Sequence, residues 1–358
     1  MQASLAHSLE SGDDMFASSG VHILVDGQYG STGKGLFASY LASKFGRSGI
    51  ITNISSAGPN SGHTFYDPNG NKHVLKQLPT FAVWCKLNGW QVPTIYLCPG
   101  AVVNPLILMQ EAEKYGVKVL VAETAAQIHP TDIDWELDIY SDIHAVAGTR
   151  QGVGSAVAQR VQRNPKAIMR DCKMPLPDNI RIIDPSRFNW RIGISLFEVS
   201  QGFSLGLHDK FYPHVTSREC TVAQAMADIR ASPFDFGGAF MSIRTFPIRV
   251  GNDGGISSGP CYEDQEEIGW TTINQEPELT TVTQRVRRLF TFSRIQYFEA
   301  LRANSPRYVM VNFMNYLPAH EREPFVKMLD DIAQQAINRK PGLLFGFGPK
   351  ISDVRTEL

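Results

Sequence analysis

Val25-Asp26-Gly27-Gln28-Tyr29-Gly30-Ser31-Thr32-Gly33-Lys34-Gly35 is a loop spaced by glycines, with one lysine, set directly after an apolar run. Residues 21–25 read as a short buried strand and residues 36–45 carry helical spacing, so the loop joins a strand to a helix. Backbone N–H groups in such a loop converge on an anion, the helix N-terminus adds partial positive charge, and Lys34 adds a formal one. Polyphosphate binding is the expectation. The spacing departs from the common phosphate loop, with Gln28 where the first glycine belongs and Gly35 where a magnesium-binding Ser or Thr belongs. Turn geometry alone does not call for four glycines and a lysine between residues 26 and 35.

The chain has 358 residues, 43% hydrophobic and 19% charged, enough for a substantial core. A formal charge of -1 argues against a broad nucleic-acid surface, so a nucleotide is expected as a small substrate and not as a polymer. Cys85, Cys98, Cys172, Cys220 and Cys261 form no CxxC pair, which fits a reducing cytoplasm and neither a zinc site nor a disulfide framework. Residues 1–20 carry Glu10, Asp13 and Asp14 without a basic region before an apolar core, so a flexible extension is expected there and not a signal peptide. No apolar stretch reaches the length of a membrane span. The expected location is the cytoplasm, with no membrane partner.

Strands are expected at residues 21–25, 50–54, 94–97, 118–121, 192–198 and 308–313. Helices are expected at 36–45, 105–115, 155–163, 222–230, 286–304 and 324–338. This alternation predicts an α/β fold with a mostly parallel central sheet and flanking helices, and a site at the strands' C-terminal ends. Residues 174–178 and 232–238 read as loops too short to be linkers. One elaborated domain, residues 21–358, is the expectation.

Three further clusters accompany the loop. Ala57-Gly58-Pro59-Asn60-Ser61-Gly62-His63-Thr64 follows a strand and sets a histidine among glycines, where it can donate to a group gaining negative charge. In Glu198-Val199-Ser200-Gln201-Gly202, continuing to Tyr212-Pro213-His214-Val215-Thr216-Ser217, the Gln201 amide can read a base edge while Thr216 and Ser217 can bind a monophosphate. Thr280-Thr281-Val282-Thr283-Gln284-Arg285-Val286-Arg287-Arg288 concentrates arginines that suit carboxylates or phosphates, or that form a solvated helix start.

Together these clusters resemble, in order, the adenylosuccinate synthetase family. Its phosphate loop, Gly-x-Gln-Trp-Gly-Asp-Glu-Gly-Lys-Gly, is similar to residues 26–35, and its Gly-His-Asn-Ala-Gly-His-Thr to residues 58–64. Its Gly-Ala-Gln-Gly followed by Tyr-Pro-x-Val-Thr-Ser resembles residues 199–217. The segments Thr149-Arg150-Gln151-Gly152-Val153-Gly154 and Phe347-Gly348-Pro349-Lys350 resemble two more of its motifs. The family moves a γ-phosphoryl group to O6 of a purine monophosphate, and the L-aspartate amine then displaces phosphate at C6.

By resemblance, the triphosphate is bound by Ser31, Thr32, Gly33, Lys34, Gly35, Gly62, His63, Thr64, Arg287, Asn312, Gly348 and Pro349. The purine monophosphate falls to Ser31, Asn60, Thr149, Arg163, Gln201, Thr216 and Arg285, with Arg163 passed across a homodimer interface. Aspartate falls to Thr281, Val282, Thr283, Gln284, Arg285 and Arg287. Magnesium falls to Ser31 and Gly62, and catalysis to His63 and Ser31.

Two departures from the family narrow the substrates. Ser31 replaces an aspartate that binds magnesium and takes the N1 proton; a shorter, neutral side chain leaves room for a C2 amine, so guanine becomes the natural base. Asn312 stands in Met310-Val311-Asn312 where the family has the aspartate of Lys-x-Asp, and its donor and acceptor suit adenine N1 and the 6-amino group. The resemblance is therefore to a bacteriophage branch that joins L-aspartate to dGMP with ATP or dATP, giving N6-succinyl-2-amino-2′-deoxyadenylate for DNA containing 2,6-diaminopurine. An ordinary synthetase using IMP and GTP is the alternative. Asp26, where the family has glycine, is a candidate for the missing carboxylate, or a cap for the loop's N–H groups.

Overall fold

The computed structural model describes residues 15–16, 18–47, 49–138, 146–280 and 283–358. Ten strands form the central sheet: β1 (Gly20–Asp26), β2 (Ile50–Ser55), β3 (Thr94–Leu97), β4 (Val119–Ala122), β5 (Ile180–Ile183), β6 (Ile194–Glu198), β7 (Phe236–Arg244), β8 (Tyr308–Asn312), β9 (Gly342–Gly346) and β10 (Val354–Arg355). Their order across the sheet is β10-β9-β8-β7-β1-β6-β2-β3-β4-β5. Every pairing is parallel except that of β9 with the edge strand β10. The expected α/β class is what the chain adopts.

β1 lies in the interior because Val21, Ile23, Leu24 and Val25 present apolar groups to both faces, and all four are fully buried. Its neighbours continue to opposite edges, so its C-terminal end opens where the connections diverge, the place where open parallel sheets bind ligands. From that end the loop enters α1 (Lys34–Phe45), whose Leu36, Phe37, Leu41 and Ala42 are buried in the core. Met15 and Phe16, inside the expected extension, are buried, with Phe16 edge-on to His22, Phe45 and Phe240. Packing therefore begins before residue 20.

Several boundaries move for local reasons. The helix expected over 286–304 is two elements. Arg288–Phe290 pairs antiparallel with Ile248–Arg249 and Glu267–Ile268, and the helix starts at Arg294. Ser293 caps it through the N–H of Gln296, and Asp264 takes those of Arg294 and Ile295. The C-terminal helix begins at Ala319, five residues before the expected start at Pro324, and runs through that proline to Ile337. Burial of Val326, Leu329, Ile332 and Ala333 along it outweighs the one backbone bond a proline removes. β7 begins at Phe236, inside the expected loop at 232–238. No helix among the described residues is long and apolar enough to cross a membrane.

Candidate active site

Gly33 admits the chain to α1 with φ 88, and a Cβ there would stand 2.5 Å from Asn312 Nδ2. Conformation and space both require glycine. Asn312, the last residue of β8, donates from Nδ2 to the Thr32 carbonyl at 2.6 Å. Ser242 Oγ of β7 donates to the same carbonyl at 2.8 Å, and Arg244 Nη1 donates to the Ser31 carbonyl at 3.3 Å. The C-terminal ends of two strands thus fix the loop from one side.

The loop forms one wall of a cleft of about 480 Å³. All the residues expected to hold a triphosphate line it: Ser31 to Gly35 from the loop and helix start, Gly62, His63 and Thr64 from the second cluster, Arg287, Asn312, and Gly348 with Pro349. Lys34 and His63 are nearly buried, while Ser31 is exposed. Burial, and then the Lys34 ammonium, push the His63 imidazole down to about 3. It is therefore neutral at physiological pH, and its Nδ1, 4.0 Å from Glu198 Oε2, makes no ion pair there. Its Nε2 is buried without a hydrogen-bond partner among the described residues. Burial raises the Glu198 carboxyl, whose oxygens accept from the N–H groups of Thr80 (2.8 Å) and Phe81 (2.9 Å).

One of the two amide N–H donors of Asn312 is taken by the Thr32 carbonyl, which leaves one donor and Oδ1, buried and without a hydrogen-bond partner among the described residues.

Among the cleft residues that were not anticipated are Tyr66 and Lys72, which oppose each other in the hairpin His63–Tyr66/Lys72–Leu75, and Glu278 and Tyr316. Glu278 takes both arms of the buried Arg244 (2.6 and 3.2 Å) and the Tyr316 hydroxyl (3.2 Å). Arg244 also lies over the Phe313 ring, 3.8 Å from its centroid. An arginine directly after the Phe240-Met241-Ser242-Ile243 stretch was the available signal, since strand C-termini face the site.

Of the residues expected to bind a purine monophosphate, only Ser31 lines this cleft. Gln201, at φ 67, accepts from Lys34 Nζ through its carbonyl at 3.0 Å, which joins its loop to the phosphate loop. Gly202 packs against the Gly30 N–H so closely that a Cβ would overlap it. Gln201 Nε2 and Ser217 Oγ are buried without a hydrogen-bond partner among the described residues. Asn60 is half-buried beside Gly58, and the Thr216 N–H bonds Leu205 O at 2.7 Å. Arg163 is exposed, just beyond the helix Val153–Val161.

Thr149 and Arg285 come together, for Arg285 Nη2 donates to the Gly148 carbonyl at 2.9 Å. Asp253 pairs with Arg285 (3.4 Å) and with Arg150 (2.8 Å), so a carboxylate already meets the guanidinium expected to take one. Thr283 Oγ1 lies 2.6 Å from Thr280 Oγ1, and the Gln284 amide donates to Thr280 O at 3.1 Å. Thr281 and Val282 lie outside the described residues. Burial brings the Arg287 guanidinium down to about 10, still charged at neutral pH. No group of three or more His, Cys, Asp or Glu converges among the described residues.

No family model matches the chain. Individual proteins do. The chain is 35% identical over 347 residues, covering 93% of itself and 97% of the relative, to an N6-succino-2-amino-2′-deoxyadenylate synthase of Vibrio phage phiVC8. It is 30% identical over 288 residues, covering 76% of itself and 78% of the relative, to an adenylosuccinate synthetase of Thermococcus onnurineus. Among solved structures, the succinoaminodeoxyadenylate synthetase of cyanophage S-2L, bound to dGMP and to dATP as an energy donor, superposes with a TM-score of 0.81 at 33% identity, over 94% of this chain and 95% of that one. At this identity and over this share of both chains, the protein belongs to the adenylosuccinate synthetase family, in its bacteriophage branch of N6-succino-2-amino-2′-deoxyadenylate synthases.

Proposed function

We propose that the protein ligates L-aspartate to C6 of dGMP with ATP or dATP, giving N6-succinyl-2-amino-2′-deoxyadenylate. One observation carries this: the triphosphate cleft meets the Gln201 loop at Lys34, and an exposed, neutral Ser31 lines that cleft three residues before the lysine. A carboxylate there would crowd a purine bearing a C2 amine, whereas the Ser31 hydroxyl accepts from that amine.

In the first step O6 of dGMP attacks the γ-phosphorus and the diphosphate leaves. Lys34 stabilises the charge on the β- and γ-oxygens, and neutral His63 donates a hydrogen bond to the transferring group from its partnerless side. The N1 proton leaves to a water held by the Ser31 hydroxyl. In the second step the aspartate amine adds at C6, inorganic phosphate departs with O6, and the proton the amine sheds leaves with that phosphate. Arg285 and Arg287, with the 281–284 segment, hold the aspartate carboxylates, Asp253 yielding its place on Arg285.

Ser31 and the Gly62 carbonyl set oxygen donors in the cleft beside Lys34, a donor set that suits Mg²⁺, which takes few protein ligands and keeps phosphate and water oxygens. The ion, when bound, neutralises phosphate charge. Asn312 Oδ1 accepts a hydrogen bond from the adenine 6-amino group, and dATP serves as energy donor in the S-2L relative. Arg163 completes the monophosphate site of a partner subunit in a homodimer.

The test is a matrix of IMP, GMP and dGMP against GTP, ATP and dATP, with Mg²⁺ and aspartate, read by mass spectrometry. A succinyl adduct of dGMP with an adenine triphosphate is expected. Turnover of IMP with dGMP untouched would refute the proposal.

A further inference from the structure

Asp26 ends β1 with its side chain fully buried inside the phosphate loop. Its Oδ1 accepts from the N–H groups of Gln28 (2.9 Å) and Gly30 (3.2 Å), and its Oδ2 accepts from Thr32 Oγ1 (2.5 Å) and Lys34 Nζ (3.0 Å). The Thr32 N–H adds a longer bond at 3.4 Å. A carboxylate has about four acceptor sites, so these donors occupy it fully. Asp26 does not line the cleft. Enclosed in this way, it can neither take a substrate proton nor reach a metal ion, which removes the role of missing base considered for it.

What Asp26 does hold is Lys34. The ammonium is tied to Asp26 Oδ2 on one side and to the Gln201 carbonyl on the other, both at 3.0 Å. Two of its three donors are thereby fixed, and the third is left for the cleft that Lys34 lines. We propose that Asp26 is a positioning residue for phosphoryl transfer, its ion pair with Lys34 setting the ammonium at the junction of the triphosphate cleft and the Gln201 loop.

Asp26→Asn keeps the shape and removes the charge. The expected result is a kcat at least tenfold lower, with calorimetric Kd values for ATP and dGMP within threefold of the unaltered protein. A kcat within threefold of the original overturns the proposal. So does a parallel loss of ATP binding and kcat, which would make Asp26 a scaffold for the loop and nothing more. If Asp26→Asn shows no cooperative melting transition, Asp26→Glu, which moves the charge by one methylene, is read by the same criteria. The inference rests on the reaction proposed above, yet the two fail separately: succinylation of IMP alone would refute the dGMP reading, and Asp26 would then be measured on IMP.

Discussion

His63 is uncharged because burial and Lys34 disfavour its protonated form, and the consequence is testable through pH. An unfolded chain takes up this proton near pH 6.5, whereas the folded one holds it off until about 3, so acid favours unfolding between those values. The stabilising contribution is complete above pH 6.5 and is lost as pH falls, by at most about 1.4 kcal/mol per unit. Thermal melting from pH 7 to 4 is expected to fall less steeply for His63→Gln than for the original protein; identical slopes would mean the imidazole titrates normally. At pH 7.5, His63→Asn is expected to lower kcat by roughly a hundredfold with dGMP affinity unchanged. At Asn312, Asn312→Asp replaces a 2.6 Å donor to Thr32 with an oxygen, so stability is expected to fall by about 1–3 kcal/mol in urea titrations. The same variant replaces the amide with a carboxylate that only accepts, which suits the donors of guanine, so the ratio of kcat/KM for GTP to that for ATP is expected to rise; an unchanged ratio would place base selection elsewhere.

At the scale of elements, the join of β1 to α1 is the most demanding piece of chain, and it was legible because only glycine meets both of its constraints. Gly33→Ala would force φ 88 on a residue with a Cβ and press that Cβ onto the Asn312 amide. Loss of ATP binding is the expected calorimetric result, and unaltered binding would show that the loop can reshape. β1 and β3, and the helix Pro105–Tyr115 with Asn104 before it and Gly116 after, follow the sequence closely because period, cap and terminator agree. The strands β5, β9 and β10 gave weaker signals, being short and at or near the sheet edges. β7 was not expected at all, its pattern broken by Gly237 and Gly238 at the start and by Ser242 and Arg244 near the end. The over-long helix at 286–304 came from apolar spacing alone, when Ser293 already marked the true start. Contacts such as Arg244 to Glu278 were not legible, because they join residues 34 apart through a tertiary turn.

For the whole molecule, the fold brings the phosphate loop, Gly62 to Thr64, Arg287, Asn312 and Gly348, separated by up to some three hundred residues, to one cleft. Arg163 is exposed and does not line the cleft, and the proposed homodimer would use it in a partner subunit's site. Mixing inactive Arg163→Leu with inactive His63→Asn, under conditions that exchange subunits, should restore up to about a quarter of the activity through heterodimers carrying one intact site. No restoration, despite demonstrated exchange, would place Arg163 outside the partner's site. The most direct measurement uses dGMP labelled with oxygen-18 at O6, together with aspartate, ATP and Mg²⁺. Ligation through a 6-phosphoryl group predicts a succinyl product without the label and inorganic phosphate carrying one labelled oxygen. Unlabelled phosphate, or no succinyl product from dGMP, would contradict it.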